Sequence, residues 1–252
     1  MSEIVFLGTG GGRFATIFQS RNTGGIYVEG SLNIHIDPGP GALVGLKKEN
    51  IDPTKTDAVL VSHRHPDHYT DTEMMIEGMT HGCTKKRGML VCSKSVADSI
   101  SDYHKSFTDV RIANPDETIT AGELSIISTS SFHSDPTTVG FKIKTKNGII
   151  SYISDTELQQ KIVDEHRDAR ILILCVTRPL KSRIKWHICT EDAAEIIGKI
   201  KPELAVITHF GMKILEEDPK YQAGWIQKNT GIKTIAAEDG MRIKVGEGIE
   251  VM

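Results

Sequence analysis

The hydrophobic residues of this chain fall into short runs separated by glycine, proline and other turn residues. β-Branched apolar runs, of which 57–61 and 204–208 are the clearest, predict buried strands. Apolar residues at helical spacing predict a helix over 69–82 and another that Thr190 opens as N-cap and Pro202 ends. In each half of the chain, strands come first and alternate with helices later. This order predicts an α/β fold, a four-layered αβ/βα sandwich of two mixed β-sheets with helices on the outer faces.

Composition narrows the class of protein without naming a function. The 252 residues are 38% hydrophobic and 25% charged and show no linker, so we expect one domain over 1–252. The net charge of −3 gives no overall basic field for nucleic acid, and no run approaches the roughly 20 apolar residues that span a bilayer. The four cysteines form no Cys-x-x-Cys pair, and the first residues resemble a strand more than a signal peptide. We therefore expect a cytoplasmic protein with no membrane partner.

Four side chains able to bind a metal lie close together, directly after the first of these strands. The loop is thus at the carboxyl end of a strand, where α/β folds carry their chemistry. If strand geometry continues, His63 and His65 point the same way, and Pro66 favours a turn before Asp67 and His68. Histidine and aspartate suit zinc-like ions, and such a loop could hold two ions a few ångström apart. We expect zinc, with manganese or iron as alternatives.

Three later residues, His133, Asp155 and His209, also follow apolar strands. A site for two metals needs more ligands than the loop alone supplies. Taken singly, however, each of these residues is more often a strand-end cap or a hydrogen-bonded polar group than a ligand. Residue type and spacing alone therefore leave their roles open.

A glycine-rich segment follows the first strand, and Gly10 to Ala15 satisfies the loose Gly-x-Gly-x-x-Ala pattern of dinucleotide sites. Such a site needs a long helix next, but the residues from Thr16 to Gly25 support none. The alternatives are a non-catalytic nucleotide-binding module built on Gly10–Ala15, or a turn whose backbone passes close to the metal loop. We favour the second.

The arrangement His-x-His-x-Asp-His, with the three later residues in order, resembles the metallo-β-lactamase superfamily. The resemblance implies the four-layered fold of that superfamily and two divalent metals. One metal would lie on His63, His65 and His133. The other would lie on Asp67, His68 and His209, with Asp155 bridging the two and a hydroxide shared by the metals as nucleophile. It also implies that Asp37 supports the loop by hydrogen bonding, where a local turn cap is the alternative.

Within the superfamily, three segments are similar to the tRNA 3′-processing endonucleases and cyclic phosphodiesterases: 7–10, 187–190 and 208–211. This branch implies that His187 faces the scissile phosphate and gives a proton to the leaving group, so the catalytic residues would be Asp67 and His187.

The substrate prediction rests on one further segment. The loop 178–186 carries four cations and Trp186, which is typical of a solvated turn or of a rim that grips phosphate and stacks on a ring. We predict a phosphodiesterase acting on a nucleotide, a cyclic phosphate or an RNA-type phosphodiester. A thioester or lactone hydrolase using the same site is the alternative, and a homo-oligomer is left open.

Overall fold

The structure is a computed structural model that describes residues 2–121 and 124–252. The chain divides into two compact units, which it visits alternately. The first comprises the residues up to Thr9, Asn22–Asn114 and Glu238–Met252, and the second comprises Gly10–Arg21 and Pro115–Ala237. Each unit is built on one β-sheet. The expectation of a single domain over 1–252 stays a prediction.

The described part of the first unit contains a mixed sheet of eight strands in the order β16-β15-β1-β2-β3-β4-β5-β6. The strands are β1 (Ser2–Phe6), β2 (Ile26–Glu29), β3 (Ile34–Ile36), β4 (Ala58–Val61), β5 (Met89–Cys92), β6 (Asp109–Ile112), β15 (Arg242–Val245) and β16 (Ile249–Val251). β1 pairs antiparallel with both of its neighbours. A dinucleotide-binding βαβ unit needs a parallel first strand, so the interpretation of Gly10–Ala15 as such a unit is wrong.

The helices of the first unit are short. They are α2 (Ala42–Lys48), α3 (Pro66–Tyr69), α4 (Thr72–Met79), α5 (Lys94–Ser99) and α6 (Asp102–Lys105), with a 3₁₀ turn at Pro53–Lys55. The single helix predicted over 69–82 is therefore wrong in its bounds. Pro66 was predicted to favour a turn before Asp67. It instead occupies the first position of α3, because proline is pre-organised for a helix N-terminus.

The second unit contains another mixed sheet, with the order β14-β13-β11-β10-β9-β8-β7 and β12 beside β11. Its strands are β7 (Thr118–Ala121), β8 (Leu124–Ser130), β9 (Val139–Thr145), β10 (Gly148–Ile153), β11 (Ala169–Arg178), β12 (Ile188–Cys189), β13 (Leu204–Thr208) and β14 (Thr234–Ala236). β10, β11, β13 and β14 run parallel, whereas β7 to β10 form an antiparallel meander. Mixed sheets with helices were predicted and are confirmed.

The helices of the second unit are α1 (Arg13–Phe18), α7 (Gln160–Glu165), α8 (Thr190–Ile200), α9 (Met212–Glu216) and α10 (Pro219–Thr230). The predicted N-cap of α8 is wrong: Cys189, not Thr190, occupies that position. The Thr190 hydroxyl instead donates to the side chain of Gln222 at 2.8 Å. The Asp192 carboxylate accepts from the backbone N–H of Cys189 at 3.2 Å, which holds the first turn in place.

Each unit has an apolar core of its own. In the first, Val59, Val61 and Leu90 from the sheet pack with Ile76 and Met79 from α4. In the second, the inner residues of β11 and β13 pack against α8 and α10. Among the described residues no helix is both long and apolar enough to cross a membrane. These cores fix the strands whose ends carry the polar residues described below.

Candidate metal centre

His63 and His65 follow the end of β4 and turn their ring nitrogens towards one another. Nε2 of His63 lies 3.1 Å from Nδ1 of His65, and the rings meet edge to face. Two ring nitrogens at this distance share either one proton or one cation. Strand geometry ends at Val61, yet the two side chains point the same way, as expected from their spacing.

The next two donors lie in the first turn of α3. Nε2 of His68 is 3.8 Å from a carboxylate oxygen of Asp67. Nδ1 of His68 donates to Oδ2 of Asp37 at 2.8 Å, in a contact that is almost fully buried. Because Nδ1 carries the proton in this contact, the lone pair of the neutral ring is on Nε2, on the side of Asp67.

Asp37 also fastens the start of the loop. Its carboxylate accepts from the backbone N–H and from the hydroxyl of Ser62, both at 2.7 Å. The Ser62 hydroxyl in turn lies 3.0 Å from Nδ1 of His63. One buried carboxylate therefore orients His68 directly and His63 through Ser62. The predicted supporting contacts of Asp37 are present.

In the second unit, polar residues cluster at one edge of the sheet. β8 and β10 are both antiparallel to β9, so they run in the same direction, and β10, β11 and β13 are parallel. The carboxyl ends of β8, β10 and β13 therefore share an edge. His133, Asp155 and His209 each follow one of these ends. The sequence placed each after a strand, and the pairing of the strands brings them together.

Asp155 is the centre of this cluster and is 3% exposed. Its Oδ2 lies 3.9 Å from Nε2 of His133, whereas its Oδ1 lies 3.3 Å from Nδ1 of His209. The two carboxylate oxygens thus face different histidines. A carboxylate with this orientation is suited to contact two cations, one through each oxygen.

His187 belongs to the same cluster. Its Nδ1 lies 3.7 Å from Oδ1 of Asp155, and its ring meets that of His133 edge to face at 5.1 Å between centroids. The Thr177 hydroxyl lies 3.4 Å from Nδ1 of His187 and 3.0 Å from Nδ1 of His209. The His187 side chain is 20% exposed, whereas those of His133 and His209 are 1% and 7% exposed. His187 is therefore the histidine of this cluster that a substrate can reach from solvent.

The loop 178–186 is tied to His133 through its backbone. Nδ1 of His133 donates to the carbonyl oxygen of Trp186 at 3.0 Å, which leaves the Nε2 lone pair towards Asp155. Trp186 has a positive φ of 66°, and its N–H points at a carboxylate oxygen of Glu157 at 3.3 Å. Glu157 itself donates its N–H to the Phe132 carbonyl at 3.0 Å, beside His133. The orientation of His133 therefore depends on the conformation of this loop.

Two of the four cations of the loop have partners within the second unit. Arg178 donates to the carbonyl and hydroxyl of Ser182, and Arg183 pairs with Asp192. The ammonium of Lys185 instead lies 4.4 Å from the centroid of the Trp186 ring. The loop is thus held by its arginines, and it carries lysine and an aromatic ring on its outer side.

The glycine-rich segment supports His209. Gly11 donates its N–H to the Phe210 carbonyl at 3.1 Å, and its backbone lies close to the ring of His209. A Cβ at residue 11 would come within 2.2 Å of Cγ of that ring. The predicted partner of this turn was the metal loop that carries His63 and His65, but the contact that the structure shows is with His209.

Sequence reasoning missed several residues of the centre. Ser62, Glu157 and Thr177 orient the histidines and carry no motif that would have marked them. Cys175 was missed as well, although its sulfur is one of three potential donor atoms, with Asp155 and His209, that lie within 4.8 Å of one another. Its position on β11 between apolar neighbours hid this proximity.

Comparison with known proteins agrees with this chemistry. A family model described as a β-lactamase superfamily domain matches residues 32–210. An uncharacterized protein of Methanocaldococcus jannaschii is 40% identical over 98% of this chain and 96% of its own. A protein of Methanopyrus kandleri described as a metal-dependent hydrolase is 25% identical over 75% of this chain and 81% of its own.

Solved structures show the same fold at low sequence identity. The metallo-β-lactamase fold protein YhfI of Bacillus subtilis superposes with a TM-score of 0.81 at 18% identity, over 96% of this chain and 98% of that one. A diphosphatase of the PhnP family superposes with a TM-score of 0.76 at 16% identity, over 99% and 100%. The family model over residues 32–210, together with the histidine and aspartate donors grouped in each unit, shows that the chain belongs to the metallo-β-lactamase superfamily and is one of its metal-dependent hydrolases.

Proposed function

We propose that the protein is a dinuclear phosphodiesterase. In this assignment His63, His65 and His133 bind one divalent metal, Asp67, His68 and His209 bind the other, and Asp155 bridges them. The division follows the order of the superfamily motifs. It is supported by the pairing of donors in the first unit, where His63 faces His65 and Asp67 faces His68.

The orientation of Asp155 is the observation that carries a two-metal assignment. One of its oxygens faces His133 and the other faces His209, the two histidines assigned to different metals. The negative charge of a bridging carboxylate would offset the repulsion between two cations.

The donor chemistry fits divalent ions. His133 and His68 each present one ring nitrogen because the other is held by an acceptor, the arrangement that metal-binding histidines usually have. Nitrogen and carboxylate donors suit zinc, manganese and iron, and we propose zinc. Such ions, when bound, would lower the pKa of a water molecule towards about 7 and polarise a phosphoryl oxygen.

The rest of the reaction falls to residues of this chain. His187 lies beside Asp155 and is partly exposed, so it can reach a substrate at this edge of the sheet. We assign it the proton that a leaving alkoxide requires. The protonated ring also offsets charge that builds on the phosphoryl oxygens. Thr177 contacts the Nδ1 atoms of His187 and His209 and positions both rings.

The loop 178–186 favours an anionic substrate with a ring. Lys185 lies over the exposed ring of Trp186, and the carbonyl of Trp186 orients His133, so the substrate rim and the proposed metal ligand share one segment. Lysine ammonium groups bind phosphate, and an exposed indole can stack on a base. The fold is also compatible with phosphoryl substrates, since a solved neighbour is described as a diphosphatase.

A substrate panel tests the proposal. Purified protein loaded with zinc or manganese should hydrolyse bis(p-nitrophenyl) phosphate, and it should hydrolyse p-nitrophenyl phosphate far more slowly. A dianionic monoester repels the nucleophile more strongly and brings an additional oxygen charge. Asp155→Asn should lose the activity, and Asp164→Asn, an exposed aspartate on α7, should keep it. If a thioester or a lactone is turned over faster than the phosphodiester under matched conditions, the substrate assignment fails and the metal site stands.

A cytoplasmic location and the oligomeric state stay predictions.

A further inference from the structure

A second group of potential ligands lies in the first unit, outside the residues assigned to the reaction. Glu77 on α4, Cys83 in the turn that follows it and His104 on α6 offer a carboxylate oxygen, a sulfur and a ring nitrogen within 4.8 Å of one another. We propose that these three residues bind a zinc-type divalent cation, separate from the reaction centre.

The donor distances suit a tetrahedral ion. Nε2 of His104 lies 3.1 Å from Oε1 of Glu77. Ligand bonds of about 2.0–2.3 Å at tetrahedral angles place donor atoms roughly 3.3–3.8 Å apart. Small side-chain rotations therefore bring all three donors onto one ion. Thiolate, imidazole and carboxylate together are a donor set that zinc takes readily.

The second ring nitrogen of His104 is already held in the manner of a metal ligand. Its Nδ1 lies 2.7 Å from the Ser101 hydroxyl and 3.4 Å from a carboxylate oxygen of Glu73. Glu73 also accepts the backbone N–H of Ser101 at 2.7 Å. Metal-binding histidines almost always donate their other N–H to such an acceptor, which fixes the tautomer and the ring plane. In this arrangement Nε2 keeps its lone pair on the side of Glu77 and Cys83.

The backbone delivers Cys83 to this position at a conformational cost. His81, Gly82 and Cys83 all have positive φ angles, of 55°, 70° and 53°. The left-handed region is unfavourable for two of these residue types. The turn places Cys83, which is 7% exposed, beside a Glu77 side chain that is 32% exposed. The ligands thus combine a sheltered sulfur with an open side through which an ion and its remaining water can enter.

The net charge of these side chains favours the binding of a divalent cation over a simple ion pair between His104 and the glutamates. Glu77 and Glu73 place two carboxylates around one imidazole, so even a protonated His104 leaves the group negative. Binding displaces the Cys83 proton to solvent, and the cation then offsets the thiolate and both carboxylates. It would also join α4 and the turn after it to α6, which Glu73 and Glu77 otherwise connect through their contacts with Ser101 and His104.

Cobalt titration of the chelator-stripped protein tests the site, because thiolate–Co²⁺ charge transfer reports a sulfur ligand directly. We expect wild-type protein to bind one more equivalent of Co²⁺ than Cys83→Ser and to show this absorption, which Cys83→Ser and His104→Gln should lack. His81→Gln replaces a neighbouring exposed histidine and should keep both properties. Glu73→Gln should keep the stoichiometry and lower the affinity 10- to 100-fold. Turnover of the phosphodiester should be unchanged in Cys83→Ser.

The outcome is independent of the proposed function. Wild type and Cys83→Ser have the same reaction centre, so a difference of one equivalent between them reports only the proposed Cys83 site. Wild-type protein without the thiolate absorption would overturn the proposal. So would Cys83→Ser with the wild-type number of ions, including the case in which Cys175 supplies the sulfur. Circular dichroism reports whether each variant folds. If Cys83→Ser does not fold, Glu77→Gln keeps the thiol in place and must still weaken binding of this ion at least tenfold.

Discussion

The backbone of Gly11 lies against the imidazole ring of His209, so closely that a Cβ at residue 11 would be 2.2 Å from Cγ of the ring. The hydrogen bond from Gly11 to Phe210 holds the backbone next to the ring, and this leaves no room for a side chain at residue 11.

Gly11→Ala should therefore displace the His209 ring. We expect turnover to fall about 10²-fold, the scale of a misplacement near 1 Å, with loss of one metal equivalent on dialysis. Gly224→Ala on α10 is the matched control, because no heavy atom lies within 4 Å of its Cβ position. The control should stabilise the protein by up to about 1 kcal/mol. Normal metal content and turnover in Gly11→Ala would show that the ring can move without consequence.

Asp37→Ala should weaken metal binding without removing a ligand. The substitution deletes the acceptor of three hydrogen bonds, two from Ser62 and one from His68. We expect a 10- to 100-fold loss of metal affinity by competition with a chelator. Asp98→Asn, at an exposed pair with Lys94, provides the control. If Asp37 only capped a local turn, metal affinity would match wild type and only thermal stability would fall.

Metal stoichiometry tests the bridging role of Asp155. Elemental analysis of metal-saturated Cys83→Ser protein, which lacks the site proposed at Cys83, should give two metals per chain. His133→Ala should mainly empty one position, whereas Asp155→Ala should disturb both because each carboxylate oxygen faces a different histidine. Full metal content and activity in Asp155→Ala would disprove the bridge.

His187→Ala should keep the proposed metals and the fold but lose about 10² or more in turnover, the usual scale for a general acid. The loss should shrink for substrates with acidic leaving groups such as nitrophenol, which depart without a proton. A series of aryl and alkyl phosphodiesters measures this dependence. An equal loss across the series would leave His187 only a positioning role, and unchanged turnover would make it a bystander.

Buried His166 should make stability fall in acid. Burial is the main cause that lowers its pKa from 6.5 to about 3, and the charge of Lys142 adds to it. The unfolded chain takes up a proton near pH 6.5 and the folded chain does not until about pH 3. This contribution is therefore complete above pH 6.5 and is lost as pH falls through this window.

For His166 alone, the free energy of unfolding should drop by about 2 kcal/mol between pH 7 and 5. Urea unfolding of chelator-stripped protein at several pH values measures the slope. His166→Gln should flatten it, and the exposed His81→Gln should not. A slope that is the same in His166→Gln and wild type would exclude His166 as its source.

The sequence determined the donors whose signal is local. His63, His65, Asp67 and His68 occupy one short loop after a β-branched strand, so their types and spacing were enough to predict metal binding. The alternation of strands and helices likewise predicted two mixed sheets, because periodicity is a property of neighbouring residues. Helix bounds were predicted less well: Pro66 occupies the first turn of α3, and α8 begins at the N-cap Cys189, which pairs with Asp192 in the first turn.

Only the tertiary structure decided which distant residues meet. Strand pairing brings Asp155, His187 and Thr177 together. The tertiary fold also places Gly11 against His209, although the two residues are far apart in the sequence. The same holds for Cys83 and His104, each of which resembles an ordinary polar or core residue in its own segment. Local sequence encodes the preference of a segment for strand, helix or turn. The contacts between segments depend on how the apolar faces of the strands and helices pack, and no short pattern records that.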